Sequence, residues 1–187
     1  MIASLRNIET MKRIIGPTLV AILLSVTSLA AQAEDAPETR QILGWLEFGI
    51  IQPGGAKVDV KLDTGAKTSS MHALDIEIIE KKGKKYVRFR FDTGYDDDED
   101  ERYDLTLERP LVREVVIKRH KKNNQVRPVV MMEICLGGQM YEGEFSLVDR
   151  TRFNYPVLLG RRLLAKSVIV DPASTFTKQP NCSSSDS

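Results

Sequence analysis

The chain has 187 residues, with 27 Lys and Arg, 26 Asp and Glu and a formal net charge of +1. Charges this closely balanced argue against a protein whose main partner is a polyanion such as a nucleic acid. Removal of an amino-terminal export signal would leave about 150 residues, which suits one domain with a single hydrophobic core.

The amino-terminal residues have the composition of a secretory signal peptide. Lys12 and Arg13 form a basic region, residues 14–29 are mostly apolar, and residues 31–33 read Ala-Gln-Ala, an A-x-A cleavage site. We predict a signal peptide over residues 1–33, cleavage after Ala33 and a periplasmic or secreted mature protein. This segment carries three basic and one acidic side chain, so cleavage leaves 24 basic and 25 acidic residues.

The alternative for this segment is an uncleaved membrane anchor. Its apolar run is short and is interrupted by Gly16-Pro17, and a cleavage site follows it. The rest of the sequence contains no stretch apolar and long enough to span a bilayer, so we predict no stable membrane insertion.

Short apolar runs separated by turn signals dominate the remaining sequence, which is typical of an all-β domain. Predicted strands cover residues 42–51, 57–62, 74–79, 86–91, 111–118, 129–136, 140–148 and 157–159. Residues 82–84 and 137–138 predict hairpin turns because they contain glycine, and one short helix is predicted after Gly160. We place the domain at residues 39–178, after a linker over 34–38 and before a flexible tail over 179–187.

The most informative feature is Asp63-Thr64-Gly65-Ala66, which directly follows the alternating run of residues 58–62. A strand whose apolar residues face one way aims the first residue of the next turn reproducibly. Thr64 can hydrogen-bond locally, Gly65 allows a partner or substrate to approach closely, and Ala66 keeps the space small. Two such carboxylates packed together share one proton and act as general base and general acid on water, as in aspartic peptidases. We therefore predict that Asp63 is catalytic.

The alternative is that Asp-Thr-Gly is only a turn, because these residue types favour turns. A second copy illustrates this: Asp92-Thr93-Gly94 follows another alternating run, 29 residues after Asp63. The acidic run of residues 96–101 comes directly afterwards and is typical of a solvated loop. We interpret the second copy as a hairpin tip.

A second motif separates Asp63 from Asp92. Residues 155–164 read YPVLLGRRLL, an apolar strand that ends at Gly160 and enters an amphipathic helix. With residues 63–66, this motif resembles the retropepsin-like aspartic peptidases, in which such a strand packs across the catalytic turn and a Gly-Arg-x-Leu-Leu helix follows. The resemblance implies a closed β-barrel of the acid protease fold with one short carboxyl-terminal helix. The residues implied to support the turn are Leu158, Leu159, Gly160 and Arg161.

The resemblance extends to a bacterial branch historically labelled ATP-dependent zinc proteases. Its further motifs are Gly44-Trp45, residues 63–73, Arg127-Pro128-Val129 and Val170-Asp171-Pro172. The residues do not support that label. The two histidines of the chain lie far apart, and residues 65–68 lack the spacing of a phosphate-binding loop. We predict no metal ion and no cofactor.

The sequence departs from the retroviral members of this family just after the catalytic turn. Acidic residues follow the turn in those enzymes, and one of them pairs with the helix arginine, but Lys67 and Thr68 stand here. Arg161 therefore requires another partner. The 97 residues from Asp63 to Gly160 also exceed the retroviral spacing. We place the insertion in the flap, with residues 86–101 expected to close over a substrate.

Other polar features have simpler interpretations. Cys135 and Cys182 are the only cysteines, and the sequence leaves open whether they form one disulfide or two free thiols. The basic run of residues 118–122 has no interleaved aromatic residues, so we predict a solvated hairpin tip and no nucleic-acid partner. His72 is interpreted as a structural hydrogen-bonding residue.

One catalytic Asp per chain implies a homodimer in which Asp63 of each subunit meets its counterpart across a two-fold axis. We predict an exported aspartic endopeptidase that acts on peptide or protein substrates. Two alternatives stay open. One is a non-catalytic peptide- or protein-binding module on the same fold, because Lys67 replaces an acid near the site. The other is a restricted amidase or peptidase acting on glutamate-rich peptides, a substrate class implied by the bacterial branch.

Overall fold

The structure, a computed structural model, describes residues 40–93, 103–118 and 124–182. These residues form ten β-strands and one short helix. The strands are β1 (Gln41–Gln52), β2 (Ala56–Asp63), β3 (Ser69–His72), β4 (Leu74–Lys81), β5 (Lys84–Asp92), β6 (Asp104–Ile117), β7 (Gln125–Leu136), β8 (Gln139–Val148), β9 (Val157–Gly160) and β10 (Val168–Thr175), and the helix is α1 (Arg161–Ser167).

Six strands close into a barrel. Their order is β1-β2-β9-β3-β8-β7, and β7 closes the ring by pairing with β1, where Gly49 lies opposite Leu136. Strand β10 adds to the outer part of β1, and β6, β5 and β4 extend the sheet beyond β7. The predicted all-β fold, a retropepsin-like closed barrel with one short helix, is confirmed.

The core is built from strands in which buried and partly exposed side chains alternate, and β2 shows this most clearly. In β2, Ala56, Val58, Val60 and Leu62 are buried, and the residues between them are only half-buried. Successive side chains of a strand point to opposite faces, so the apolar half of β2 faces the barrel interior. The same core cluster includes Leu159 of the neighbouring strand β9, Met71 of β3 and Phe145 of β8, which are also buried.

Two-residue turns that contain glycine form the predicted hairpins. Lys82 and Gly83 connect β4 to β5 with φ of 51° and 72°, and Gly137 and Gly138 connect β7 to β8 with φ of 56° and 82°. Two successive residues with positive φ match the right-handed twist of the flanking strands.

The carboxyl-terminal segment is fixed to the barrel as far as Cys182. A disulfide joins Cys182 to Cys135 of β7, and Pro180 is buried. The buried carboxylate of Glu47 accepts hydrogen bonds from the backbone N–H groups of Gly44 (2.6 Å) and Thr177 (3.0 Å). The disulfide and the buried Pro180 lie within residues 179–182, the segment in which the sequence predicted the start of a flexible tail.

Several predicted features lie outside the described residues. They are the signal peptide over 1–33, the linker over 34–38, the acidic run over 96–101 and most of the basic run over 118–122. Within the described ranges, no helix combines the length and the apolar character needed to cross a membrane.

Candidate active site

Strand β2 ends at Asp63, and the following turn folds back onto its carboxylate. The backbone N–H groups of Gly65 and Ala66 donate to Asp63 Oδ1 at 2.9 and 3.2 Å. Ala66 N–H also lies 3.2 Å from the Asp63 carbonyl oxygen. Because both donors belong to the same turn, Oδ1 is fixed and the carboxylate holds one orientation. The turn itself is open: Thr64 and Gly65 are exposed.

Strand β9 supports this turn from below. It runs parallel to β2, with Leu159 opposite Leu62 and Gly160 opposite Asp63. Gly160 N–H lies 3.1 Å from Ser69 Oγ, which ties the first residue of β3 to the same point. A Cβ atom on Gly160 would lie 2.5 Å from the backbone carbon of Thr68, so only glycine fits here.

Arg161 is the second residue that supports the Asp63 turn. The sequence did not indicate which groups its side chain binds, and the structure shows them. Its backbone N–H donates to the Ala66 carbonyl at 2.9 Å. Its Nη1 donates to the carbonyl oxygens of Thr64 and Gly65 at 3.0 and 3.1 Å. Arg161 thus binds the backbone of the Asp63 turn directly, in place of the ion pair expected from the retroviral relatives.

The environment of Asp63 favours the ionised carboxylate. Partial burial raises the pKa of Asp63, but the Gly65 hydrogen bond, the Lys61 ammonium group and the Ala66 hydrogen bond together outweigh it, so the pKa lies below its usual value. Lys61 Nζ lies 3.4 Å from Asp63 Oδ2. Sequence reasoning missed Lys61, although residues two apart on a strand share a face and the spacing could have identified it.

His72 occupies a buried position on β3, away from the Asp63 turn. Its Nδ1 accepts the Arg150 backbone N–H at 2.9 Å, and the backbone N–H of His72 donates to the Pro156 carbonyl at 2.8 Å. Burial lowers the pKa of His72 most strongly, and the charges of Asp149 and Asp92 offset this only in part. A neutral imidazole that accepts a backbone hydrogen bond has a structural role, since it connects β3 to the segment after β8.

The second Asp-Thr-Gly copy lies elsewhere. Asp92 ends β5 opposite Asp104, and Thr93 N–H bonds to the Tyr103 carbonyl at 2.9 Å, so the pair closes the β5–β6 hairpin. Asp92 contacts Arg90 at 2.8 Å and belongs to a surface ion-pair cluster. Of the segment expected to act as a flap, residues 86–92 form the middle strand of the three-stranded extension, and residues 94–101 lie outside the described part of the chain.

A cleft of about 380 Å³ opens next to the turn, between α1 and strands β7 and β8. Its lining includes Thr68, Glu144 and Arg162. Glu144 is bound by Arg113 of β6, whose Nε lies 3.1 Å away. Among the residues that the structure describes, no three His, Cys, Asp or Glu side chains are arranged to hold a metal ion.

Known proteins are similar to this chain in sequence and fold. Residues 42–181 match the RimB-like family, described as the retropepsin-like aspartic endopeptidase RimB. A solved structure of a protein of unknown function from Legionella pneumophila subsp. pneumophila str. Philadelphia 1 is 37% identical, with a TM-score of 0.63 over 75% of this chain and 100% of that chain.

Two curated relatives carry a different name, probable alpha-L-glutamate ligase. The protein from Desulfotalea psychrophila is 28% identical over 137 residues, which are 72% of this chain and 28% of the relative. The protein from Shewanella pealeana is 30% identical over 132 residues, which are 71% of this chain and 28% of the relative. The chain therefore spans little more than a quarter of the length of these relatives. Because the family match covers well over half of the sequence and includes both the Asp63 turn and its Gly160 support, the chain belongs to the RimB-like family of retropepsin-like aspartic endopeptidases.

Proposed function

We propose that the protein is a homodimeric aspartic endopeptidase in which the Asp63 carboxylates of two subunits activate water against a peptide bond. The observation that carries this proposal is the Asp63 turn, where Oδ1 is fixed by two backbone N–H groups and the turn lies open to a partner. A fixed and partly exposed carboxylate at a strand end is the geometry that a paired acid requires.

A single subunit has the base but lacks the acid. With its pKa lowered, an isolated Asp63 is ionised at neutral pH and accepts a proton, but it has none to donate. A second Asp63 brought against the first would raise the pKa of the pair, because two adjacent like charges disfavour each other, and the pair would retain one proton. Lys61, which contacts Oδ2 in the single subunit, would then have to move aside.

The proposed reaction follows from that shared proton. The ionised carboxylate takes a proton from water as the water oxygen attacks the carbonyl carbon of the substrate. The protonated carboxyl group donates its proton to the carbonyl oxygen. Breakdown of the tetrahedral intermediate breaks the C–N bond. The carboxyl group that took the proton from water donates it to the leaving nitrogen, and a hydroxyl group of the intermediate gives its proton to the other carboxylate, which restores the singly protonated pair. Thr64 and Gly65 shape the turn, and Gly160 and Arg161 keep it in place.

Features at the same end of the barrel support dimerisation. Ile42 of β1 and Ile169 of β10 lie opposite each other and are 61% and 49% exposed. Leu46 of β1 lies opposite Lys61 of β2, and the two strands are antiparallel. Ile42 therefore lies two residues beyond the level of Asp63 along the barrel. Strand β10 also ends the sheet among the described strands and has an edge that a second copy could cover. A two-fold dimer through this end would bring the two Asp63 turns together.

The Cys135–Cys182 disulfide supports export. Disulfides persist in oxidising compartments such as the periplasm and are rare in reducing cytosol. We propose a periplasmic or secreted enzyme, in agreement with the signal-peptide pattern of residues 1–33.

The substrate class is proposed from the relatives and from charge. The matched segment makes up 28% of curated relatives that are named probable alpha-L-glutamate ligases. Ligation of glutamate forms an amide bond, and cleavage of a glutamate-rich peptide breaks such a bond. By strand register, Arg113 and Arg127 lie on the outward face that also carries Asp63, and Arg150 binds Ser70 there. This positive charge favours acidic peptides. We therefore propose that the endopeptidase, or a restricted amidase on the same site, acts on glutamate-containing substrates.

The test is cleavage of a diverse peptide mixture that includes glutamate-rich members, read as new termini by mass spectrometry from mildly acidic to neutral pH. The purified protein is compared with its Asp63→Asn variant, and Asp92→Asn is the matched control in the second Asp-Thr-Gly copy. Cleavage lost only in Asp63→Asn supports the proposal. No cleavage by folded, dimeric protein at any pH favours the non-catalytic binding module.

A further inference from the structure

The cleft beside the Asp63 turn has the size of a small-molecule site. It encloses about 380 Å³, and pockets of about 300–1,000 Å³ are typical of sites for small ligands. The cleft exists because β3 pairs with β8 only from Phe145 onward, so no described strand covers residues 142–144 on that side of β8. Helix α1 lies over the uncovered part, where Leu163 Cδ1 would lie 2.7 Å from a Cβ atom on Gly143.

One part of the cleft lining is apolar. Met131 of β7 and Leu163 of α1 both border the cleft, and both side chains are only half-buried. Apolar side chains that line a concave surface favour an apolar group of a ligand, because contact removes both apolar surfaces from water. The lining thus provides room for a small apolar side chain.

The other part of the lining carries charges of both signs. Glu142 and Glu144 lie two residues apart on β8, and Arg162 of α1 lies 3.9 Å from Glu144. Glu144 is already bound by Arg113, whose Nε lies 3.1 Å away. Among the described residues, Glu142 has no hydrogen-bond or ion-pair partner, and the Arg162 guanidinium group donates no hydrogen bond. One carboxylate and one guanidinium group on this lining can therefore bind a ligand.

A free α-amino acid matches this lining group by group. Its ammonium and carboxylate groups are attached to one carbon atom, next to the side chain. The ammonium group is complementary to Glu142, the carboxylate to Arg162, and an apolar side chain to Met131 and Leu163. Because Arg113 neutralises Glu144 and the charges of Glu142 and Arg162 cancel, the lining favours a ligand without net charge.

We propose that this cleft binds a free α-amino acid with an apolar side chain. Glu142 accepts hydrogen bonds from the ammonium group, and Arg162 donates hydrogen bonds to the carboxylate. The ligand side chain packs on Met131 and Leu163. This site goes beyond the proposed function, since no peptide bond is broken in it and its ligand does not need to contact Asp63.

The walls of the cleft also support the Asp63 turn. Thr68 and Ser69 border the cleft, and Ser69 Oγ accepts the Gly160 backbone N–H at 3.1 Å. The backbone N–H of Arg162 donates to the Lys67 carbonyl at 3.2 Å. A ligand that joins Arg162 to Glu142 connects α1 to β8 and so strengthens the support of the turn. Binding in the cleft should therefore stabilise the folded chain.

Titration of the unmodified protein, followed by the amide NMR signals of the cleft residues, tests the class of ligand. The probe is L-leucine. It is compared with N-acetyl-L-leucine, which lacks the ammonium group, with L-leucinamide, which lacks the carboxylate, and with glycine, which lacks the side chain. Each of the three should bind about tenfold or more weakly than leucine, because each loses a charge-assisted hydrogen bond or an apolar contact.

Variants of the cleft assign each ligand group to a residue. Glu142→Gln and Arg162→Gln should each weaken leucine binding about tenfold. Both residues are exposed, so the variants should fold, and an unchanged Tm without ligand verifies this. Glu133→Gln, opposite Glu142 on β7, and Arg152→Gln, exposed after β8, make the same charge changes outside the cleft lining. These matched controls should bind leucine like the unmodified protein.

The outcomes are distinct from those that test peptide cleavage. No saturable change of the cleft signals with leucine, equal binding of leucine and both blocked derivatives, or unchanged affinity in both cleft variants overturns the amino-acid site. Equal binding of leucine and leucinamide, lost only in Glu142→Gln, also overturns it and indicates the amino-terminal end of a peptide. Selective leucine binding by a protein that cleaves no peptide upholds the site and contradicts only the proposed function.

Discussion

Gly160→Ala is the substitution whose effect the structure specifies most closely. The added Cβ would lie 2.5 Å from the backbone carbon, 2.6 Å from the oxygen and 2.8 Å from the nitrogen of Thr68. Gly160 has φ of −97° and ψ of 171°, which alanine adopts freely, so the entire effect comes from collision. Because the atoms encountered belong to the backbone, relief requires β9 to move away from the turn. That movement stretches the Gly160–Ser69 and Arg161–Ala66 hydrogen bonds.

The expected loss of stability is about 2 to 4 kcal/mol, from about 1–3 kcal/mol for overpacking and about 1 kcal/mol for a weakened buried hydrogen bond. For a domain of this size, that lowers Tm by about 10 °C, which circular dichroism measures directly. Gly143→Ala is the matched control, because its Cβ meets only the end of the flexible Leu163 side chain, at 2.7 Å. We expect the control to change stability by less than about 1 kcal/mol. A Gly160→Ala protein with unchanged Tm and full cleavage activity would refute this reasoning.

Three further predictions follow from the disulfide, from His72 and from the proposed dimer. Cys182→Ser opens a link between residues 47 apart and should lower the free energy of unfolding by about 2–4 kcal/mol in urea titrations, whereas an unchanged midpoint would contradict a stabilising role. Burial lowers the pKa of His72, so its contribution to stability is complete above about pH 6.5 and is lost as pH falls below it. His72→Asn should therefore show a smaller loss of stability between pH 7 and 5, and an identical pH slope would exclude His72 as its source. Finally, an isolated Asp63 is ionised and a dimer pair holds one proton, so sedimentation should show tighter dimers at pH 5 than at pH 7.5, and Asp63→Asn should remove that dependence.

The sequence predicted those strands and turns that are determined by the pattern of apolar, polar and glycine residues within a short segment. Alternating side chains in residues 58–62 indicated β2 and placed Asp63 at its end, and the apolar run before Gly160 indicated β9. The hairpins at Gly83 and Gly137 followed from residues that adopt positive φ at little cost. Each of these signals lies within about ten residues of sequence, where steric preferences of individual residues dominate.

The strands that were missed lack such a local signal. All four residues of β3 are buried, so Ser69 and Ser70 show no alternation of apolar and polar residues. Strand β10 contains Pro172, which is tolerated because β10 lies at the edge of the sheet. The first half of β6 is charged and ends at Pro110, next to an irregularity in its register, so it was not distinguished from a loop.

The site was predictable only as far as its motifs extend. Asp63 and Gly160 were identified because each lies within a short recognisable pattern, whereas their pairing depends on strand register. The contact between Arg150 and Ser70 joins residues 80 apart, and nothing in either local sequence indicates it. Closure of the barrel between β1 and β7 is likewise a long-range property that composition and periodicity do not encode.

Mixing subunits tests the central claim, that two Asp63 carboxylates act as one catalytic unit. Unmodified protein and Asp63→Asn are dissociated, combined in known ratios and reassembled at constant total concentration, and cleavage of one peptide is measured. If both carboxylates are required, only dimers of two unmodified subunits are active, and an equal mixture retains about one quarter of the activity. Activity that falls in proportion to the unmodified fraction, to about one half, would show that each Asp63 acts alone and would contradict the account.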